Sequence, residues 1–110
     1  MNAICRLYSK NNPTTHKTVN IDDSLYEKLY KLLNTKYDAT ISDLVNVAIE
    51  NYANKNKPTY YAKPEGETVT YRSFMIRKNN VKALDKMHSQ TGISFARLFN
   101  AAIKDFLDNL

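Results

Sequence analysis

The chain has one cysteine, no tryptophan, two glycines and three prolines in 110 residues. A single thiol, Cys5, excludes an internal disulfide and fits a reducing, cytoplasmic setting. It stands near the N-terminus and is read as a plain near-terminal thiol with no reactive role. So little glycine and proline favours long regular elements over a loop-rich fold. No apolar run approaches the roughly 18 residues that a membrane-spanning helix needs, so no membrane partner is expected. Residues 1–10 are too short and too polar for a signal peptide. The two histidines, His16 and His88, lie far apart, and no metal-ligand spacing, glycine-rich phosphate loop or nucleophile motif occurs. The chain is therefore read as no enzyme, with no catalytic residue, metal or cofactor.

What is present is basic charge, formally +5, and its placement matters more than its size. Residues 1–21 carry three bases and no acid, whereas residues 22–53 carry six acids against three bases. Residues 54–78 carry six bases against Glu65 and Glu67, and residues 79–110 are nearly balanced. A polyanion would meet the two basic stretches and not the acidic one between them.

The chain also reads twice. Residues 43–52 lie over residues 97–106, so that Leu44, Asn46, Ala48 and Ile49 recur as Leu98, Asn100, Ala102 and Ile103. Upstream, Leu29 to Leu32 lies over Leu84 to Met87, and Thr18-Val19-Asn20-Ile21 lies over Ser73-Phe74-Met75-Ile76. The three segments match in order, with one single-residue difference in spacing.

Each repeat reads strand, helix, helix. Val19 and Ile21 alternate with Thr18 and Asn20, and Phe74 and Ile76 with Ser73 and Met75, the period of a half-buried strand. Leu25, Leu29, Leu32 and Leu33, and then Val81, Leu84 and Met87, recur at helical spacing. Asp22 or Asp23 is the expected cap of the first of these helices, and Asn79 that of the second. After a short break at residues 37–40 or 91–94, a further helix starts from Thr40 or Ser94. Thr40 with Asp43 approximates a capping box. The apolar faces of these later helices are Leu44, Val47, Ala48 and Tyr52, and Leu98, Ala101, Ala102 and Phe106. Residues 1–15 read as a flexible basic arm, 16–53 as repeat one, 54–69 as a polar linker and 70–110 as repeat two. The two repeats are expected to form one compact domain, because a lone short strand leaves its backbone groups unpaired and needs the other as partner.

The Thr-Val-Asn-Ile strand running into Asp-Asp-Ser-Leu, the helix-break-helix spacing and the run Val47 to Tyr52 resemble the ribbon-helix-helix proteins, the superfamily of the Arc and MetJ repressors. The last run is similar to the second helix of plasmid copy-number repressors in that family. The tandem form resembles conjugation accessory proteins. The resemblance covers residues 16–53 and 71–108. It implies a mainly α fold with a short two-stranded antiparallel ribbon, a tandem ribbon-helix-helix pseudo-dimer of order β-α-α-linker-β-α-α. The second repeat departs from the first, with Asn80 at a commonly apolar position and Arg77 and Lys82 where the first has acids. The two halves are therefore not expected to meet DNA equivalently.

The resemblance implies sequence-specific binding of double-stranded DNA, with the ribbon in the major groove, where each base pair shows a distinct pattern. The outward face is expected to hold His16, Thr18, Asn20, Tyr71, Ser73 and Met75 as base readers. Asn20 is the leading candidate, because its amide can pair bidentately with adenine. Phosphate contacts are expected at the second-helix N-termini, from Thr40, Ser42, Ser94 and Arg97, and from Lys17, Arg72, Arg77 and Lys78 beside the ribbon. Arg6 and Lys10 on the arm are expected to add non-specific affinity. Two roles remain open: an accessory protein marking an origin of transfer or partition site, and a transcriptional or copy-number repressor. Candidate partners besides DNA are further copies of the chain on adjacent sites and a relaxase or other plasmid protein. The competing readings are an antitoxin-type protein-binding module, a non-specific basic nucleic-acid-binding protein and a helix-turn-helix protein. The last would need a polar recognition helix, yet residues 44–52 and 98–107 are the most apolar helical stretches.

Overall fold

A computed structural model describes residues 13–35, 40–55 and 61–110. Residues 1–12 of the expected N-terminal arm, with Cys5, Arg6 and Lys10, residues 37–39 of the expected break and residues 56–60 of the linker lie outside the described residues. The order is β1 (Thr14–Asp22), α1 (Asp23–Thr35), α2 (Ile41–Ala53), β2 (Val69–Arg77), α3 (Lys78–Thr91) and α4 (Phe95–Asp108). The protein is thus mainly helical, with the expected β-α-α-β-α-α order and one two-stranded antiparallel sheet. Among the described residues, no helix is long and apolar enough to cross a membrane.

Both strands are longer than the alternation in the sequence implies. β1 begins at Thr14, inside the stretch read as arm, and β2 at Val69, inside the stretch read as linker. The ladder needs only backbone groups, and it extends one bond further at each end. Lys78 N–H donates to the Pro13 carbonyl at 3.0 Å, and Asp23 N–H to the Thr68 carbonyl at 2.9 Å.

Those two bonds also change how the following helices start. Neither Asp22 nor Asp23 caps α1; the Glu67 carboxylate accepts from the Ser24 amide at 3.4 Å and from its hydroxyl. Asn79 does not cap α3. The helix begins at Lys78, two residues earlier than a cap at Asn79 would place it; the Lys78 amide donates to the Pro13 carbonyl, and Arg77, in the cap position, makes no side-chain capping bond. The other two caps form as their residues suggest. Thr40 and Asp43 make a reciprocal capping box, and the Ser94 hydroxyl accepts from the Arg97 amide at 3.3 Å. Gly92 closes α3 at φ 74°, donating to the His88 carbonyl at 2.8 Å.

α2 and α4 pack against each other, and Ala48 on the one and Ala102 on the other are fully buried. Around them lie Leu44, Ile49, Tyr52, Leu98, Phe99 and Ile103. α1 adds Leu25 and Leu29, α3 adds Leu84, and the strands add Val19, Ile21, Phe74 and Ile76. Val47, Leu33, Val81 and Met87, expected inside, are only partly buried against this core.

Nine residue pairs join the strands, from Thr14 opposite Arg77 to Asp22 opposite Val69, and the middle pair is Thr18 opposite Ser73. The ribbon covers the core with one face and leaves the other open, which positions the candidate site.

Candidate nucleic-acid interface

Alternation sorts the ribbon. His16, Thr18, Asn20, Tyr71, Ser73 and Met75 are all exposed on one face, as expected. They meet as three cross-strand pairs: His16 with Met75, Thr18 with Ser73, and Asn20 with Tyr71. Tyr71 is 69% exposed and Met75 38%. The Thr18 and Ser73 hydroxyls share a 2.8 Å hydrogen bond, so part of their bonding capacity is already used within the protein.

A pair of asparagines fixes this face from behind. Asn46 on α2 donates to the Met75 carbonyl and accepts from the Arg77 amide, each at 2.9 Å. Asn100 on α4 donates to the Asn20 carbonyl at 2.9 Å and accepts from the Asp22 amide at 2.8 Å. Each side chain also donates to its own helix, to Ser42 or Ala96. Both are buried, and each bridges two backbone groups of one strand, so helix and ribbon are held rigidly together. Their recurrence at matching places in the two repeats was the signal available in the sequence.

The cations divide into two groups. Lys17 and Arg72 belong to the rows of the ribbon that face the helices and are half-buried. The Lys17 ammonium lies 5.0 Å from the centre of the Phe95 ring, and the Arg72 guanidinium 3.8 Å from that of Tyr26. Arg72 Nε is buried without a hydrogen-bond partner among the described residues. Lys78 and Arg97 are exposed at the starts of α3 and α4.

Arg77 departs from the expected phosphate contact. Its guanidinium turns inward to the Glu50 carboxylate at 2.6 Å, and its side chain is only 12% exposed. Buried Asn80 donates to the same carboxylate at 3.2 Å and to Asn46 Oδ1 at 2.9 Å. The polar Asn80 thus completes a buried network in which an inward Arg77 is electrostatically favourable.

The two second-helix N-termini differ. At α2 the Thr40 amide donates to the Asp43 carboxylate at 3.0 Å, the Thr40 hydroxyl accepts from the Asp43 amide, and the Ser42 hydroxyl accepts from the Met75 amide at 3.0 Å. Thr40 and Ser42 are therefore engaged internally, and the Asp43 charge opposes an incoming phosphate. At α4, Ser94 caps and Arg97 adds a cation, which favours an anion beside the positive end of the helix dipole. A cavity of about 320 Å³ flanks the ribbon on each side. One is lined by Tyr26, Ser42, Tyr71 and Arg72, the other by Asn20, Asp22, Lys63, Arg97 and Asn100.

Sequence reasoning missed what the end of the connecting segment does. Thr68 and Thr70 hydroxyls donate to the Asp23 carboxylate and hold its pKa below the ordinary 3.8, with a smaller contribution from Arg72. Tyr61 packs against the core, and burial, followed by the neighbouring Asp22, raises its phenol well above the usual range. Among the described residues no cluster of His, Cys, Asp and Glu could hold a metal ion. His88 makes a local 2.7 Å contact with the Ile93 carbonyl through Nδ1.

No family model, curated protein or solved structure matches the chain.

Proposed function

We propose that the chain is a sequence-specific double-stranded DNA-binding protein of the ribbon-helix-helix type, in which two repeats form a pseudo-dimer within one polypeptide. One observation carries the reading: a two-stranded ribbon backed rigidly by four helices and open on its other face. That face shows polar and large side chains in place of a plain solvated surface. A major groove about 12 Å wide admits a two-stranded ribbon and offers donors, acceptors and thymine methyls to those groups. Asn20 matches adenine, Thr18 and Ser73 can donate or accept, and Met75 fits a thymine methyl.

The pseudo-dimer is supported by the register. Residues matched between the repeats sit symmetrically about the Thr18–Ser73 pair, and Asn46 and Asn100 each hold the strand of the other repeat. Against a helix-turn-helix reading, α2 and α4 contribute most of the core and present no polar recognition face. The role we favour is an accessory protein marking an origin of transfer or partition site, with transcriptional repression as the second. Both require a defined duplex target. Selection of bound DNA from random duplexes tests the reading: a defined motif supports it, and enrichment without sequence preference overturns it.

A further inference from the structure

We propose that the connecting segment, residues 61–68, is a working part of the recognition surface, with Lys63 joining Arg97 to hold one DNA phosphate beside Asn20. The inference rests on the DNA-binding reading above and deepens it.

The segment is docked, not loose. Glu67 accepts from Ser24, Thr68 bonds Asp23 through both its carbonyl and its hydroxyl, and a turn at Gly66, φ 78°, folds the chain back. Lys63 is thereby brought to the end of β1. Its ammonium lies 3.4 Å from the Asp22 carboxylate, which has no solvent exposure and also neighbours the Tyr61 phenol. A buried carboxylate is costly without a compensating charge, so Asp22 fixes where Lys63 sits. The lysine itself is 52% exposed, so its ammonium remains open to solvent beside that pair.

What surrounds it decides the use. Lys63, Arg97 and Asn20 line one cavity of about 320 Å³ between the ribbon and the start of α4. Asn100, on the same wall, clamps the backbone on either side of Ile21. Two cations therefore flank the leading base reader on the side where the backbone of a duplex in the groove would pass. A lysine already held in place loses less freedom on binding than a free one. Lys63 thus acts as a positioning residue for the half of the site read by Asn20, and it comes from the connector instead of from either repeat.

The test uses the full chain and the duplex that it selects from random sequences. Lys63→Gln combined with Asp22→Asn removes the ion pair, leaves no unpaired buried charge and keeps the net charge unchanged. A lowered salt dependence then reports a lost contact. The expected result is a shorter hydroxyl-radical footprint at the flank on the Asn20 side and a log–log salt slope reduced by about 0.9, so that affinity falls about 3.5-fold less between 50 and 200 mM salt. Lys63→Arg should retain both. Lys104→Gln, near the other end of α4 where Lys104 pairs with Asp108, should leave both unchanged. A wild-type footprint and slope in the double variant would overturn the inference alone and leave the segment a structural tie. Failure of the wild-type chain to select any duplex would overturn it together with the DNA-binding reading.

Discussion

Thr18 and Ser73, 55 residues apart in the chain, face each other at the middle of the ribbon and share a hydrogen bond between their hydroxyls. They are also the residues that the repeat comparison places over each other. Two like strands paired antiparallel about an axis must bring their equivalent residues together there and nowhere else. Two residues outward on either side, His16 faces Met75 and Asn20 faces Tyr71, so each faces the residue matched to the other.

The first prediction follows from that pairing. A strand whose partner lies in the same chain needs no second copy to fold. The thermal midpoint should therefore be independent of protein concentration over a hundredfold range, since only association makes it concentration-dependent. A midpoint that climbs steadily with concentration would place strand pairing between chains.

The second concerns the asparagine clamps. Asn100→Ala strands the Asp22 amide and the Asn20 carbonyl at the edge of the core. Each buried group left unpaired costs about 1–3 kcal/mol. Urea unfolding should show a loss of about 2–4 kcal/mol with little change in the m-value. A loss near zero would mean that water replaces the side chain at no cost.

Much of the architecture was legible in the sequence. Period-2 alternation marked the inner and outer faces of the ribbon, because side chains in a strand have no other way to point. Helical spacing marked Leu25, Leu29 and Leu84 for the core. Caps were legible where the helix start is local, at Thr40 and Ser94, and illegible at α1 and α3. There, distant groups, Glu67 and the Pro13 carbonyl, take the amides first. The same reason hid the inward turn of Arg77. Its partner Glu50 is far along the chain, and the buried Asn80 that completes the network breaks the apolar pattern instead of extending it.

The third prediction tests the packing around Ala102. Ala102 on α4 has no exposure, and Ala102→Leu would force three extra carbons into the core. The cost should be roughly 1–3 kcal/mol by chemical denaturation. A neutral result would contradict close packing at this point.

The fourth separates two arginines that charge alone cannot tell apart. Arg97→Ala should weaken specific and random DNA alike and lower the salt slope by about one. Arg77→Ala should leave the slope unchanged and instead destabilise the fold, because Glu50 loses its close partner. Slopes from binding isotherms at several salt concentrations, set beside melting curves, decide the matter. Equal slope losses for both variants would return Arg77 to the DNA-facing surface.

The central claim is that the open face of the ribbon reads bases, and Asn20 tests it most directly. Duplexes are selected from a random pool with the wild-type chain and with Asn20→Ala. The account predicts a defined, non-palindromic motif for the wild type, because His16 and Tyr71, Thr18 and Ser73, and Asn20 and Met75 differ at equivalent places. It predicts that Asn20→Ala relaxes preference at one or two base pairs, costing about 1–3 kcal/mol on the selected site and little on random DNA. An unchanged motif in Asn20→Ala, with binding abolished only by removal of basic charge, would contradict it.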